Sequence, residues 1–170
     1  MNLLDEAGEQ AVTYRSLAKA LRVTPMAIKH HVGSREQLFK SLVDEVYKKM
    51  EFMPSTKGPV NRILNLLESY SETALSHPNL TLYILSDPKL YQGPIEELTK
   101  SIESELGILI ENSLEAKTVF DILIDYTHGF ALSVASSINA SVGGPITVSK
   151  LKADYLQRLK WILLAASRHS

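Results

Sequence analysis

The segment from Val12 to Leu38 constrains the fold of this chain most, because it carries the signals of two short helices separated only by a tight turn. Thr13 is a favourable N-cap for the first helix, since its hydroxyl can accept a hydrogen bond from an unpaired backbone N–H group. Thr24 is a second N-cap, and Pro25 suits the first position of the next helix, where a missing N–H costs nothing. The sequence therefore predicts a helix that ends at residue 21 or 22, a turn, and a second helix.

Apolar residues in this segment recur at helical spacing, which predicts one inward face for each helix. The side chains expected to point inward are Leu17, Ala18, Leu21, Ala27, Ile28 and Val32, and those nearer the solvent are Met26, Lys29, His30 and His31. No acidic residue occurs between Gln10 and Arg35, whereas cations stand at Arg15, Lys19, Arg22, Lys29 and Arg35. This arrangement has the form of the helix-turn-helix of DNA-binding proteins, whose second helix lies in the major groove. The alternative is a solvated basic helix face.

A longer residue pattern runs through the same segment. The pattern R-x-L-A-x-x-L-x-V-x-x-x-x-[IL]-x-x-H-V-x-x-[RK] is filled by Arg15, Leu17, Ala18, Leu21, Val23, Ile28, His31, Val32 and Arg35. On these residues, over about Met1 to Phe39, the chain resembles the TetR family of dimeric, ligand-responsive transcriptional repressors. Beyond Phe39 the resemblance is architectural only.

The chain departs from the family pattern at two positions. Arg22 stands in the turn, where members usually have Gly, and Lys29 stands in the recognition helix, where they usually have Tyr. We therefore expect Arg22 to adopt a turn conformation that Gly adopts at lower cost. The first helix also opens late, at MNLLDEAGEQ, so we expect either a short first helix or one that residues upstream of Met1 would complete.

The resemblance and the local geometry together indicate ten DNA-binding residues. Those expected nearest to base edges are Thr24, Pro25, Met26, Ala27, Lys29 and His30, and those expected on phosphates are Thr13, Arg15, His31 and Arg35. A lysine can bond guanine acceptors, and an alanine or methionine can contact a thymine methyl group. The alternatives are a packing role for His31 and a plain solvated cation at Lys29.

Composition narrows the class of protein without fixing it. The 170 residues are 45% hydrophobic and 22% charged, which is typical of a globular protein with one substantial core or two small coupled ones. A net charge of −1 argues against a wholly basic nucleic-acid coat but allows one basic module. The absence of Cys excludes a thiolate metal site and fits a cytoplasmic location, and neither an export signal nor a membrane span is indicated.

Apolar spacing of three and four along the whole chain predicts an all-α fold, with an N-terminal three-helix helix-turn-helix head and a C-terminal helical bundle for ligand binding and dimerisation. We expect a DNA-binding domain with its connecting helix over residues 1–50 and a ligand-binding and dimerisation domain over residues 51–170. The expected helices after the head begin at Ser34 (running to about Met50), Pro59, Asn79, Pro94, Glu115 (to about Val142) and Thr147 (to about Ser167). The expected linker is Met53–Pro59, and Gly143-Gly144-Pro145 is the expected turn between the last two helices.

The last two helices carry apolar residues on more than one side. In the first of these helices, the side chains expected to face the body are Phe120, Leu123, Ile124, Thr127, Phe130, Ala131 and Val134. The apolar residues left on other faces are Ile122, Leu132, Ala135 and Ile138. A helix that is apolar all round is normally buried all round. We therefore expect a homodimer whose helix pairs form a four-helix bundle, which is also what the resemblance implies. Two reading helices roughly 34 Å apart would then match a palindromic operator.

The body also carries residues suited to a small-molecule effector site, although each aromatic side chain among them is equally a core candidate. The predicted effector-binding residues are Tyr70, Tyr83, Phe120, Asp125, His128 and Trp161. Asp121, Asp125 and His128 lie on one helical stripe, which could hold a cation, form polar dimer contacts or be solvated. We predict no metal and no cofactor.

Three classes of function follow. The leading prediction is a DNA-binding regulator, a repressor released from a double-stranded operator by a small molecule. The second is a helical ligand-binding dimer that no longer reads DNA, which the unusual Arg22 and Lys29 would explain. An enzyme is disfavoured, because the sequence has no nucleophile motif, no phosphate-cradling Gly loop and no metalloprotease His spacing.

Overall fold

The computed structural model describes residues 1–50, 58–139 and 145–168, and every helix or strand element that it assigns in these ranges is a helix. The α-helices are α1 (Asn2–Ala7), α2 (Tyr14–Leu21), α3 (Pro25–Val32), α4 (Arg35–Tyr47), α5 (Pro59–Ser76), α6 (Pro78–Ser86), α7 (Pro94–Leu109), α8 (Ser113–Asn139) and α9 (Pro145–Ala166). Short 3₁₀ turns cover Glu9–Ala11 and Pro88–Leu90. The predicted all-α class is confirmed. Among the described residues, no helix combines the length and hydropathy that a membrane crossing requires.

Proline opens several helices, because its missing N–H falls among groups that have no partner within the helix. Pro25, Pro59, Pro78 and Pro94 each stand at a helix start. Helix α4 ends at Tyr47, three residues before the predicted end at Met50. Most of the predicted linker, residues 53–57, and the Gly143-Gly144 turn lie outside the described residues.

The first compact unit comprises residues 1–49 and 77–94. Helix α6 joins this unit through Asn79, whose side-chain amide donates to the carbonyls of Leu4 at 2.9 Å and Asp5 at 3.0 Å. The His77 ring also lies 3.2 Å from the Asp5 carboxylate. Phe39 and Leu80 are fully buried in this unit. The unit thus includes a segment that the expected head, residues 1–50, did not contain, while the functional division of the chain stays a prediction.

The second unit comprises residues 50–76 and 95–170 and is built from α5, α7, α8 and α9. Each helix contributes fully buried apolar side chains, among them Ile63, Leu67, Ile102, Leu106, Leu123, Leu159 and Leu163. Arg62 forms two hydrogen bonds with the Glu105 carboxylate, at 2.6 and 2.7 Å, which join α5 to α7. Lys152 pairs with Glu68 at 2.9 Å and joins α9 to α5.

Candidate nucleic-acid interface and candidate ligand site

Helix α2 begins and ends as the sequence predicts. The Thr13 hydroxyl accepts from the backbone N–H of Ser16 at 3.1 Å, and the Ser16 hydroxyl accepts from the Thr13 N–H at 2.9 Å, so the two residues form a capping box. At the other end Arg22 adopts φ 56° and ψ 42°, the left-handed conformation. Within the described chain it is the one residue other than Gly with a positive φ. The expectation that Arg22 adopts a turn conformation that favours Gly is confirmed.

Helix α3 is held at both ends. The Thr24 hydroxyl accepts from the N–H of Ala27 at 3.2 Å, and Pro25 occupies the first helical position. Gly33 ends the helix at φ 69°. Its carbonyl accepts a 2.7 Å hydrogen bond from the Tyr14 hydroxyl, which ties the start of α2 to the end of α3. Sequence reasoning missed this role of Tyr14, because the two residues are 19 positions apart and no local signal connects them.

The predicted DNA-binding residues lie almost entirely on the surface. Those that are exposed are Thr13, Arg15, Thr24, Pro25, Met26, Lys29, His30, His31 and Arg35, whereas Ala27 is half-buried. Ile28 is buried and anchors α3. Because His31 is exposed, it does not take the alternative packing role.

One predicted inward residue is misplaced. Leu21 is 63% exposed, so its assignment to the inward face is wrong. Ala18, one turn earlier on the same face, is buried. Leu21 is the last residue of α2 and the chain turns left-handed directly after it, so its side chain extends beyond the core.

The cations of this surface differ in their partners. Within the described residues, Arg15, Lys19, Arg22 and Lys29 take part in no ion pair. Arg35 instead donates to the carbonyl of Glu9 at 2.7 Å and bonds its carboxylate. The surface of α2, the turn and α3, which we call the basic surface, therefore carries uncompensated positive charge.

Two of the predicted effector residues meet inside the second unit. The Tyr70 hydroxyl lies 2.6 Å from Nε2 of His128, and both side chains are buried. Beside them, the Tyr155 hydroxyl lies 2.9 Å from Oγ1 of Thr127 and donates to the carbonyl of Leu67 at 3.4 Å. This polar core crosses α5, α8 and α9. Tyr70 and His128 were predicted from the sequence as effector residues, and Thr127 is a polar residue in an otherwise apolar stripe, but no sequence signal indicated that these side chains share one core.

Burial shifts the pKa of two groups in the polar core. It lowers the pKa of His128, an effect that the nearby Asp125 carboxylate partly opposes. It also raises the pKa of the Tyr155 hydroxyl, so this group stays protonated and remains a hydrogen-bond donor.

The other predicted effector residues are not part of the polar core, although the Asp125 carboxylate lies near enough to His128 to affect its pKa. Tyr83 belongs to the first unit and packs on Phe39, with 4.0 Å between ring centroids. Trp161 is 71% exposed, Asp125 is exposed, and Phe120 is buried beneath the Lys117 ammonium. The predicted stripe of Asp121, Asp125 and His128 does not act as one group, since Asp121 forms an ion pair with Lys117 at 2.6 Å. Across the described part of the chain, no group of three His, Asp or Glu side chains is arranged to hold a metal ion.

An open groove runs between α8 and α9. Its volume is about 450 Å³, and it is lined by Asp125, Tyr126, Gly129, Phe130, Ser133, Val134, Ser137, Leu151 and Arg158. Arg158 donates to the Tyr126 hydroxyl at 3.2 Å. The Phe130 ring stacks on Tyr155 at 4.2 Å, so aromatic rings connect the groove to the polar core. The sequence did not indicate Arg158, because one cation on a charged helix gives no specific signal.

We predict that the buried imidazole makes the second unit less stable in acid. An unfolded His128 binds a proton with an ordinary pKa of 6.5, whereas the folded residue binds it less readily. The unfolded state is therefore favoured as the pH falls below 6.5, and full stability returns above that value. Denaturant unfolding from pH 8 to pH 5 should show this slope, and His128→Gln should flatten it. An unaltered slope in His128→Gln would contradict the assignment.

These helices define a helical protein whose first unit presents a helix-turn-helix. BioQ from Mycobacterium smegmatis shares the fold, with a TM-score of 0.77 and 17% identity over 99% of this chain and 94% of that one. The regulator SCO7222, a TetR from Streptomyces coelicolor, gives 0.73 and 16% over 98% and 93%. A TetR variant from Acinetobacter baumannii AYE in complex with minocycline gives 0.69 and 16% over 98% and 91%.

BioQ has also been solved with its natural double-stranded DNA operator, and that structure gives a TM-score of 0.67 at 19% identity over 89% of this chain and 92% of that one. The chain therefore has the fold of the TetR family. No protein-family model and no curated protein matches the sequence.

Proposed function

We propose that this protein is a sequence-specific DNA-binding transcriptional regulator that acts as a repressor in the cytoplasm. The observation that carries the proposal is the basic surface, whose four unpaired cations flank an exposed, doubly capped helix α3. Such a surface suits the phosphates and base edges of a major groove. The operator-bound structure of BioQ, a protein of the same fold, supports this function.

The ten predicted residues take two roles in this proposal. Base edges would be met by Thr24, Pro25, Met26, Ala27, Lys29 and His30, and phosphates by Thr13, Arg15, His31 and Arg35. Since Arg35 already bonds Glu9, its phosphate contact would share or replace that ion pair. The Thr13 hydroxyl would likewise exchange its 3.1 Å hydrogen bond to the Ser16 hydroxyl, whereas Arg15 has no ion pair to give up among the described residues.

The regulator would bind a palindromic operator as a homodimer through α8 and α9. On α9 an exposed stripe contains Ala153, Gln157, Trp161 and Leu164, and on α8 a second exposed stripe contains Ile122, Gly129, Ser133 and Ser136. Trp161 is 71% and Ile122 48% exposed in the single chain, so a second copy would bury substantial apolar surface. The small side chains on α8 would let the helices approach closely.

A small-molecule effector would release the DNA by acting on the second unit. His128 of the polar core belongs to α8, the helix that also carries one of these exposed stripes. A ligand that alters the contact between Tyr70 and His128 would therefore act on a helix of the proposed dimer interface. To release DNA it must favour a head spacing that fits the operator poorly. The complex of a TetR variant with minocycline supports a small-molecule effector.

Selection of bound sequences from random duplex DNA, followed by a salt titration, tests the proposal. We expect a palindromic site whose binding weakens by about 10³–10⁵ between 50 and 200 mM salt if the dimer contacts six to ten phosphates. Arg15→Ala should weaken binding and reduce the salt slope, whereas Lys100→Ala on α7 should do neither. Weak binding to all sequences alike would reject the proposal and favour a helical ligand-binding dimer that no longer reads DNA.

A further inference from the structure

Met26 is a large apolar side chain on the basic surface. It is 73% exposed, although methionine is among the residues that proteins most often bury. The neighbouring side chains on the same helix follow the usual rule, since Ile28 is buried and Lys29 is exposed. The exposure of Met26 therefore comes from its place on α3 rather than from a poorly packed helix.

The position of Met26 in α3 suits contact with a base. It is the second residue of the helix, after Pro25, and the first residues of a reading helix are those that meet base edges. Ile28 lies about 200° round the helix from Met26, so the residue that anchors α3 and the residue that faces outward are on opposite sides. Lys29 and His30, three and four residues on, lie on the outward side with it.

We propose that Met26 reads a thymine methyl group and that Lys29 reads a guanine within two base pairs of it. The inference rests on the proposed DNA-binding function and specifies the sequence that it recognises. The C5-methyl of thymine is the apolar group that base pairs present in the major groove, and lysine pairs with the O6 and N7 acceptors of guanine. Met26 and Lys29 are three residues apart, which is about 4.5 Å along an α-helix. Successive base pairs are about 3.4 Å apart along the DNA axis, so the two contacts fall on adjacent or next-adjacent base pairs.

The test replaces thymines of the selected operator by deoxyuridine, which removes only the methyl group. One thymine in each half-site is expected to be sensitive, with an affinity loss of about four-fold for one half-site and about 15-fold for both. That thymine should lie within two base pairs of a guanine. Met26→Ala should lose most of the difference between thymine and deoxyuridine operators, because its side chain ends at Cβ and lacks the thioether arm with which Met26 would reach the methyl group.

Two variants separate base reading from a general loss of binding. Met26→Leu keeps an apolar side chain and should retain sensitivity to deoxyuridine. Lys29→Ala should retain that sensitivity while losing its preference at the guanine. Thermal melting of each variant establishes that α3 remains folded.

The outcomes also separate this inference from the function on which it rests. If a specific operator is selected but no thymine is sensitive, or if Met26→Ala keeps the full sensitivity, the role of Met26 is wrong and the regulator stands. If no sequence is preferred, both proposals fail.

Discussion

Replacement of Trp161 by glutamate is expected to produce a monomer and to weaken binding to the palindromic operator by about 10²–10⁴. In the single chain Trp161 is 71% exposed, and the proposed dimer buries it. A glutamate at this position would bury a desolvated, unpaired charge in the interface. The free-energy cost of burying that charge exceeds the loss of the apolar contact alone. Sedimentation velocity measures the mass, and a titration with labelled operator measures the affinity.

The matched control is Ile108→Glu. Ile108 is an apolar residue of α7 that is 65% exposed and lies on neither α8 nor α9. This variant should keep both the dimer mass and the operator affinity. A dimeric Trp161→Glu with normal affinity would remove α9 from the interface, whereas a monomer with normal affinity would reject the link between dimerisation and the palindrome.

The starts of α2, α3 and α4 could be predicted because their causes are local. Thr13, Thr24 and Ser34 each accept a hydrogen bond from the backbone N–H three residues on, so the signal and its structural effect lie within one turn. The strained turn at Arg22 followed from a family pattern that usually places Gly there. A segment whose helices are capped at both ends has few alternative conformations. The basic surface could be predicted because it is formed by such a segment of consecutive residues.

The membership of residues 77–94 in the first unit had no comparable signal. It depends on bonds such as those from Asn79 to Leu4 and from His77 to Asp5, whose residues lie more than 70 positions apart. An Asn after a helix-opening proline reads in sequence as a cap or a turn residue. Only the tertiary fold shows that its amide bonds the carbonyls of α1.

The candidate ligand site could be predicted only in part, because its contacts also join residues that lie far apart in the sequence. Tyr70 and His128 were both candidates, but the 58 residues between them leave their pairing undetermined by spacing. Aromatic residues on a helix identify an apolar face without saying whether it meets the core, a ligand or a second copy. Trp161 is the clearest example: it was predicted as an effector residue, but its side chain is 71% exposed and does not line the polar core.

Replacement of Phe39 by alanine is expected to lower the free energy of unfolding by about 3–5 kcal/mol. Phe39 is fully buried in the first unit, its ring packs against Tyr83 with 4.0 Å between centroids, and the Arg35 guanidinium lies 5.1 Å from the ring centroid. Alanine would leave a cavity among these groups and loosen the start of α4. Such a loss is a large fraction of the stability of a typical domain, so operator binding should fall with it. Urea unfolding followed by circular dichroism measures the change.

Lys40→Ala, at the exposed neighbouring position, should change the free energy of unfolding by less than about 0.5 kcal/mol. The same experiment tests the role of Tyr83, which the sequence indicated as an effector residue. If it packs on Phe39, the double-mutant cycle of the two alanine variants should show a coupling of about 0.5–1.5 kcal/mol. A coupling near zero, or a Phe39→Ala variant destabilised by less than about 1 kcal/mol, would contradict this packing and return Tyr83 to the candidates for effector binding.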